Sequence, residues 1–349
     1  MKYSLIERST KRMRQQYKML THRIKVTVST QELLWQIKKH ATLAINRKKK
    51  LICIVNVEHL GDIIACEPVA RILRQRNPEA IILWLTKDFY APLVKTFTHV
   101  DAVLTLECLT TWLRIKPRTV FDELYELHPH GKLCPICKIP LVKSTTNSHI
   151  TTENYYDYGN LLQAFSNSAN IHIEDLTPRL EISESVKLEI CKKNIPESYV
   201  VIHTQSNESA RDWQSERWQQ LVDNLITNNI NVVEIGITSS INCDATQYLC
   251  LCNKLSILET AEVIRGAKLF IGIDSGPAHI ANAVGTFGII LMGHYRKFRQ
   301  YCPYSGAYAD GTNADLIQHD GLVHELPLNI VWASIIRRLS SSRADSDGS

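Results

Sequence analysis

Residues 268–293, KLFIGIDSGPAHIANAVGTFGIILMG, leave the chain few choices of fold. A run of five apolar residues, 269–273, reads as a buried strand, and Asp274-Ser275-Gly276 breaks it. Pro277 restarts the chain as a helix, and a second apolar strand runs from Gly288 to Met292. Strand, loop, helix and strand in this order form a parallel crossover unit, whose strands are covered on both faces. Proline suits the first helical position, where its missing N–H has no partner to lose, and Ser275 or Gly276 is placed to cap the helix. The amides of such a helix start favour an anion, most simply a diphosphate, above the strand ends. His279 lies in the first turn, within reach of a phosphate or sugar oxygen. The competing reading is that Asp274 and Ser275 only cap a helix and that His279 is a core residue.

The same alternation recurs through the 349 residues, which suffice for two domains each burying its own core. LICIVNV, 51–57, is a buried strand followed by a turn carrying Gly61 and Asp62 and by a helix that stops at Asn77-Pro78. Strands follow over 80–85, 100–106 and 121–127, with a helix over 88–97. A second alternating set starts with a strand over 199–203 and a polar loop holding Arg211, Asp212 and Trp213. A helix over 215–227, a strand over 231–235 and a helix over 257–267 lead into the stretch described first. This is an α/β chain of two Rossmann-like domains, expected to face each other across a ligand crevice. A nicotinamide cofactor is disfavoured. The first turn has one glycine where three are needed, and Leu85-Thr86-Lys87 ends the second strand without a ribose-binding acid.

Charge is distributed unevenly. Residues 1–50 hold 14 Lys or Arg against two acids, whereas the remainder holds 26 basic against 33 acidic residues. Ile6, Met13, Tyr17, Leu20 and Ile24 recur at helical spacing in this basic arm, and a second helical stretch covers 31–45. An arm of this kind suits an anionic membrane surface or docks as a solvated helix; with few aromatics among its basic residues, no nucleic-acid partner is expected. The chain has no apolar run long enough to span a bilayer and no secretory signal, so a cytoplasmic location is expected, peripheral on the inner face of the membrane if the arm binds lipid.

Most of the ten cysteines stand singly in apolar segments and read as reduced thiols. The loop His128-Pro129-His130-Gly131-Lys132-Leu133-Cys134-Pro135-Ile136-Cys137 is the exception. His128, His130, Cys134 and Cys137 have the ligand types of a four-coordinate structural zinc, and a surface loop of free thiols is the alternative. The expected organisation is a basic arm over 1–50, an N-terminal Rossmann-like domain over 51–178 and an interdomain passage over 179–198. A C-terminal Rossmann-like domain over 199–325, a helix over 326–339 and a disordered tail over 340–349 complete it.

Gly61-Asp62 with Pro68-Val69, Arg211-Asp212-Trp213 ahead of Glu216-Arg217-Trp218, and Asp274-Ser275-Gly276-x-x-His279 followed by Ala281-x-Ala283 and Gly285-Thr286 together resemble glycosyltransferase family 9, the heptosyltransferases. The resemblance covers about residues 51–305. It implies a GT-B fold, a nucleotide-activated sugar donor, typically ADP-heptose, bound mainly by the C-terminal domain, and inversion at the anomeric carbon with no cofactor or metal required. By position Asp62 resembles the general base, with Gly61 beside it on the acceptor side, and Asp274, Ser275, Gly276 and His279 match the donor loop. Arg211 stands where the family usually has a lysine on the donor phosphates. Two further departures are Phe287 for the usual proline and Ile237-Thr238-Ser239-Ser240 without the acid that often contacts the donor ribose. The implied acceptor is a surface polysaccharide, a lipopolysaccharide-type or other lipid-linked glycan, or a protein. A GT-B sugar epimerase and a non-catalytic nucleotide-sugar-binding protein are the alternatives.

Overall fold

The computed structural model describes residues 5–57, 59–144, 148–298 and 301–346. Residues 1–4 of the expected arm and 347–349 of the expected tail lie outside them. The chain forms two compact units. In chain order the first half contains α1 (Leu5–Arg47), β1 (Leu51–Val55), α2 (Leu60–Ala65), α3 (Glu67–Arg76), β2 (Ile81–Lys87), α4 (Ala91–Val94), β3 (Ala102–Leu106), α5 (Leu109–Ile115), β4 (Glu123–Glu126) and α6 (Leu161–Ser168). The second half contains α7 (Glu184–Cys191), β5 (Tyr199–His203), α8 (Ser215–Thr227), β6 (Asn231–Ile235), β7 (Tyr248–Cys250), α9 (Ile257–Arg265), β8 (Leu269–Ile273), α10 (Gly276–Val284), β9 (Gly288–Met292), β10 (Ala314–Gln318) and α11 (Leu328–Ser346).

The first unit is built on a parallel sheet of order β3-β2-β1-β4. β1 is buried along its whole length, as its unbroken apolar run requires of a central parallel strand. Cys53, Val55, Leu83, Leu85 and Trp112 form one core with Leu33, Leu34, Ile37 and Ala44 of α1. The basic arm is therefore part of this unit, not an appendage. Its two expected helical stretches are one helix of 43 residues. Between the two stretches, threonine hydroxyls bond to the preceding turn, Thr27 Oγ1 to Arg23 O at 3.0 Å and Thr30 Oγ1 to Val26 O at 2.6 Å.

The second unit carries a six-stranded parallel sheet of order β10-β9-β8-β5-β6-β7. From β5 the chain winds outward through β6 to β7, then returns to the other side of β5 with β8. The strand order thus reverses between β5 and β8, the place where open α/β sheets bind ligands. β10 extends the sheet at its edge, beyond the point where 268–293 was expected to close it. α7 occupies the expected passage, and α11 runs to Ser346, so residues 340–346 are helical where a disordered tail was expected.

His59–Pro68 groups with the second unit, although the sequence places it in the N-terminal domain. Close packing of α2 on α10 is the cause. A Cβ on Gly61 would meet His279 Cδ2 at 2.6 Å, and one on Gly276 would meet Leu60 Cδ2 at 2.8 Å. Both glycines let the two helix starts approach more closely than any side chain would allow.

Candidate active site

β5 and β8 are paired neighbours, with His203 opposite Gly272 at their carboxyl ends. The loops that leave these ends meet. Asp274, buried, accepts from Arg211 NH1 at 3.1 Å on Oδ2 and from the Tyr304 hydroxyl at 2.9 Å on Oδ1. Burial opposes the Arg211 charge, but the Asp274 carboxylate outweighs it and holds the guanidinium protonated. The guanidinium also lies 5.1 Å from the centre of the Tyr295 ring. Its Nε is buried with no acceptor among the described residues, a donor left open at the mouth of the switch point.

The rest of the arginine motif is structural. Asp212 shapes its loop by accepting from Ser206 N at 2.7 Å, and Trp213 Nε1 donates to Leu326 O at 2.8 Å while its ring meets Trp218 edge-on. Arg217 donates to His324 O at 2.9 Å.

Ser275 occupies the N-cap of α10, but its hydroxyl does not cap the helix as expected. Instead Oγ lies 3.0 Å from His203 Nδ1 and 3.2 Å from Ile273 O. The N-cap side chain therefore leaves the first amides of α10 without a cap bond from Ser275. His279, one turn along, is buried with its ring between Tyr304, 4.7 Å away by ring centres, and Gly61. Asp62 is half-buried in the first turn of α2, three residues past the N-cap His59, so it is not the capping residue. Packing of α2 on α10 brings its helix start beside the 274–279 loop. Tyr304 and Tyr295 were not singled out from the sequence. They lie beyond the recognisable motif, and only the fold returns them to Asp274 and Arg211.

Burial pushes both His203 and His279 down to about 4; for His279 the Asp274 carboxylate opposes the shift and Arg211 adds to it. Both rings are neutral at pH 7 and supply hydrogen-bonding atoms rather than charge. Unfolded histidine titrates near 6.5, so between about 6.5 and 4 the unfolded chain binds more protons than the folded one, and stability falls as pH falls through that window. Each ring contributes up to about 1.4 kcal/mol per pH unit there. Urea titrations at pH 7 and pH 5 should show a lower midpoint at the acidic value, and His203→Asn should flatten the dependence. An unchanged slope in the variant would contradict burial as the cause.

Residues 158–307 match the family model for glycosyltransferase family 9 (heptosyltransferase). Over this span the chain is similar to glycosyltransferase family 9. Two curated relatives, both named lipopolysaccharide heptosyltransferase 3, come from Escherichia coli. One is 29% identical over 118 residues, covering 31% of this chain and 35% of that protein. The other, from strain K12, is 28% identical over 273 residues, covering 67% of this chain and 79% of that protein. The solved E. coli heptosyltransferase WaaC with ADP superposes with a TM-score of 0.58 at 14% identity, over 82% of this chain and 99% of that one. The fold is GT-B, with two parallel α/β units. The matched family 9 span includes Arg211, Tyr304 and 274–279 but not Asp62.

Outside the matched span, the zinc set expected from the loop after β4 is not brought together among the described residues. His128 Nε2 accepts from Val57 N at 2.9 Å, and His130 Nδ1 accepts from Lys143 N at 3.2 Å. These bonds tie one nitrogen of each ring to the chain just past β1 and to the 141–143 segment. Cys134 and Cys137 face other partners, His22 and Cys108, which lie far away in sequence.

Proposed function

We propose that this chain is an inverting glycosyltransferase that moves heptose from ADP-heptose to a lipopolysaccharide-type acceptor. The match of residues 158–307 to the family 9 model, the relatives' names and the likeness to an ADP-bound heptosyltransferase support the reading. Arg211 carries it: a guanidinium held charged at the β5/β8 switch point, with a buried N–H that meets no acceptor among the described residues, beside a helix start that Ser275 does not cap. These groups suit a diphosphate. In the transfer, an acceptor oxygen attacks the anomeric carbon and the bond from that carbon to the diphosphate oxygen breaks. Asp62 takes the acceptor proton, and ADP leaves with its charge met by Arg211 and the α10 amides. In this scheme the step requires no metal.

A panel of nucleotides in thermal-shift format tests the donor. A ligand at 100 times its Kd adds about 2.7 kcal/mol of stability, so ADP should raise the melting temperature and UDP and GDP should not. Equal shifts from all three would refute selection of an adenine donor.

The reading places the enzyme in the cytoplasm, peripheral on the inner membrane face. No helix among the described residues is long and apolar enough to cross a membrane. α1, however, exposes Met13, Tyr17, Leu20, Ile24, Val28 and Trp35 along one stripe, with Tyr17 71% and Trp35 65% accessible. Arg12, Arg14, Lys18, Arg23 and Lys25 stand among them. An apolar stripe with basic flanks fits an anionic lipid surface. Removing residues 1–50 would strip Leu33, Leu34 and Ile37 from the core, so the test is Leu20→Asp with Ile24→Asp. This variant should lose salt-sensitive sedimentation with phosphatidylglycerol vesicles while its fold and ADP binding remain. Wild-type protein sedimenting equally with neutral vesicles, or self-associating through the stripe without binding vesicles, would refute the membrane role.

A further inference from the structure

Three thiols and an imidazole from three separate segments converge inside the first unit. His22 comes from the middle of α1, Cys108 from the residue preceding α5, and Cys134 and Cys137 from the loop after β4. One ligand atom from each lies within 4.8 Å of every other. We infer that His22, Cys108, Cys134 and Cys137 form a structural zinc site that fastens the N-terminal helix to the sheet.

Four observations carry the assignment. A tetrahedral zinc with Zn–S of about 2.3 Å and Zn–N of about 2.0 Å places neighbouring ligand atoms about 3.5–3.8 Å apart, and His22 Nε2 lies 3.6 Å from Cys134 Sγ. The other ring nitrogen is oriented from outside: His22 Nδ1 lies 3.1 Å from Glu107 Oε1, so Nδ1 carries the proton and the Nε2 lone pair points at the thiols. A carboxylate holding a histidine in this way is the usual support of a metal ligand. Directly after Cys-Pro-Ile-Cys, Lys138 takes φ 60 and its N–H donates to Cys134 O at 2.9 Å, a tight reversal that closes the turn carrying both thiols. Finally, His22, Cys108 and Cys134 are buried in a small cluster with Val26, separate from the main core, while Cys137 is half-exposed and leaves a way in for the ion.

Three thiolates and one imidazole make a closed, sulfur-rich set, the donor chemistry of structural zinc. Binding releases three thiol protons, leaving a centre of net charge −1. The site ties together segments 112 positions apart, and its binding free energy adds directly to the stability of the docked helix.

The test uses the full chain, purified without chelator from zinc-supplemented medium. Elemental analysis should give close to one zinc per chain, and a mercurial should release it. Cobalt exchanged into the wild-type protein should show sulfur-to-cobalt charge transfer and the intense visible bands of a tetrahedral thiolate site. Glu107→Gln, which leaves all four ligands in place, should release zinc to a chelator at about 10–100-fold lower chelator concentration. His22→Gln and Cys137→Ser should lower the zinc content well below one equivalent. Less than a tenth of an equivalent in the wild type would overturn the site, as would a disulfide between these cysteines in metal-free protein. Full zinc retained by both ligand variants would also overturn it, and iron in place of zinc would overturn the zinc assignment.

Discussion

Asp62→Asn is expected to lower turnover by about 10²–10⁴ while leaving ADP affinity and melting temperature near their wild-type values. The expectation rests on position. Asp62 lies in the first turn of α2, whose glycine-packed contact with α10 sets that turn beside the 274–279 loop. A purely structural role would be an interaction of the carboxylate with the helix start, worth about 0.3–1 kcal/mol. Because His59 holds the N-cap, asparagine at 62 costs no cap, and it keeps the size of the side chain but cannot take a proton. Single-turnover rates with saturating donor separate chemistry from product release. A variant that retains more than about a tenth of the wild-type rate would move the base elsewhere.

Arg211→Ala should weaken nucleotide binding by about 1.5–3 kcal/mol, the value of a hydrogen bond to a charged group. It should also lower the melting temperature, because Asp274 is buried and would keep, among the described residues, the Tyr304 hydroxyl as its hydrogen-bond donor. The two effects have different remedies. Arg211→Lys restores a cation for Asp274, so stability should largely return, but a lysine offers a point charge without the planar fork, so affinity should recover only in part. Calorimetric titration of ADP into both variants measures the first effect and thermal melts the second. Wild-type ADP affinity in Arg211→Ala would remove this residue from the donor site.

Much of the fold is written in local pattern. Fully buried parallel strands such as β1, β5 and β8 need unbroken apolar runs, and the Asp-Ser-Gly-Pro break marks where β8 ends and α10 starts. Less regular elements were harder to read because their signal is shared with distant partners. β10 is an edge strand with only Ala314 fully buried, so it lacks the apolar run of its neighbours. α1 crosses a β-branched stretch that reads as a break until the core contacts of Val26 and Leu33 are known.

The same division holds for the functional residues. Asp274 is legible because it sits just past the end of β8, and Arg211 because it lies in the polar loop between β5 and α8. Their mutual contact, the Tyr304 hydroxyl and the diversion of Ser275 toward His203 depend on which strands are neighbours. The cysteine loop was read with its nearest histidines, His128 and His130. Chain proximity misled there: both rings accept backbone N–H groups, and the imidazole beside the thiols comes from the helix that sequence alone left unattached.

The most direct test of the central claim is transfer itself. Purified chain is incubated with ADP-heptose and a lipopolysaccharide core acceptor lacking its outer heptose; the product is weighed by mass spectrometry, and its anomeric configuration is read by NMR. One heptose should be added per acceptor, with configuration inverted relative to the donor, and Asp62→Asn should lose that product. Binding of ADP-heptose with no transfer above buffer, or a product of retained configuration, would contradict it.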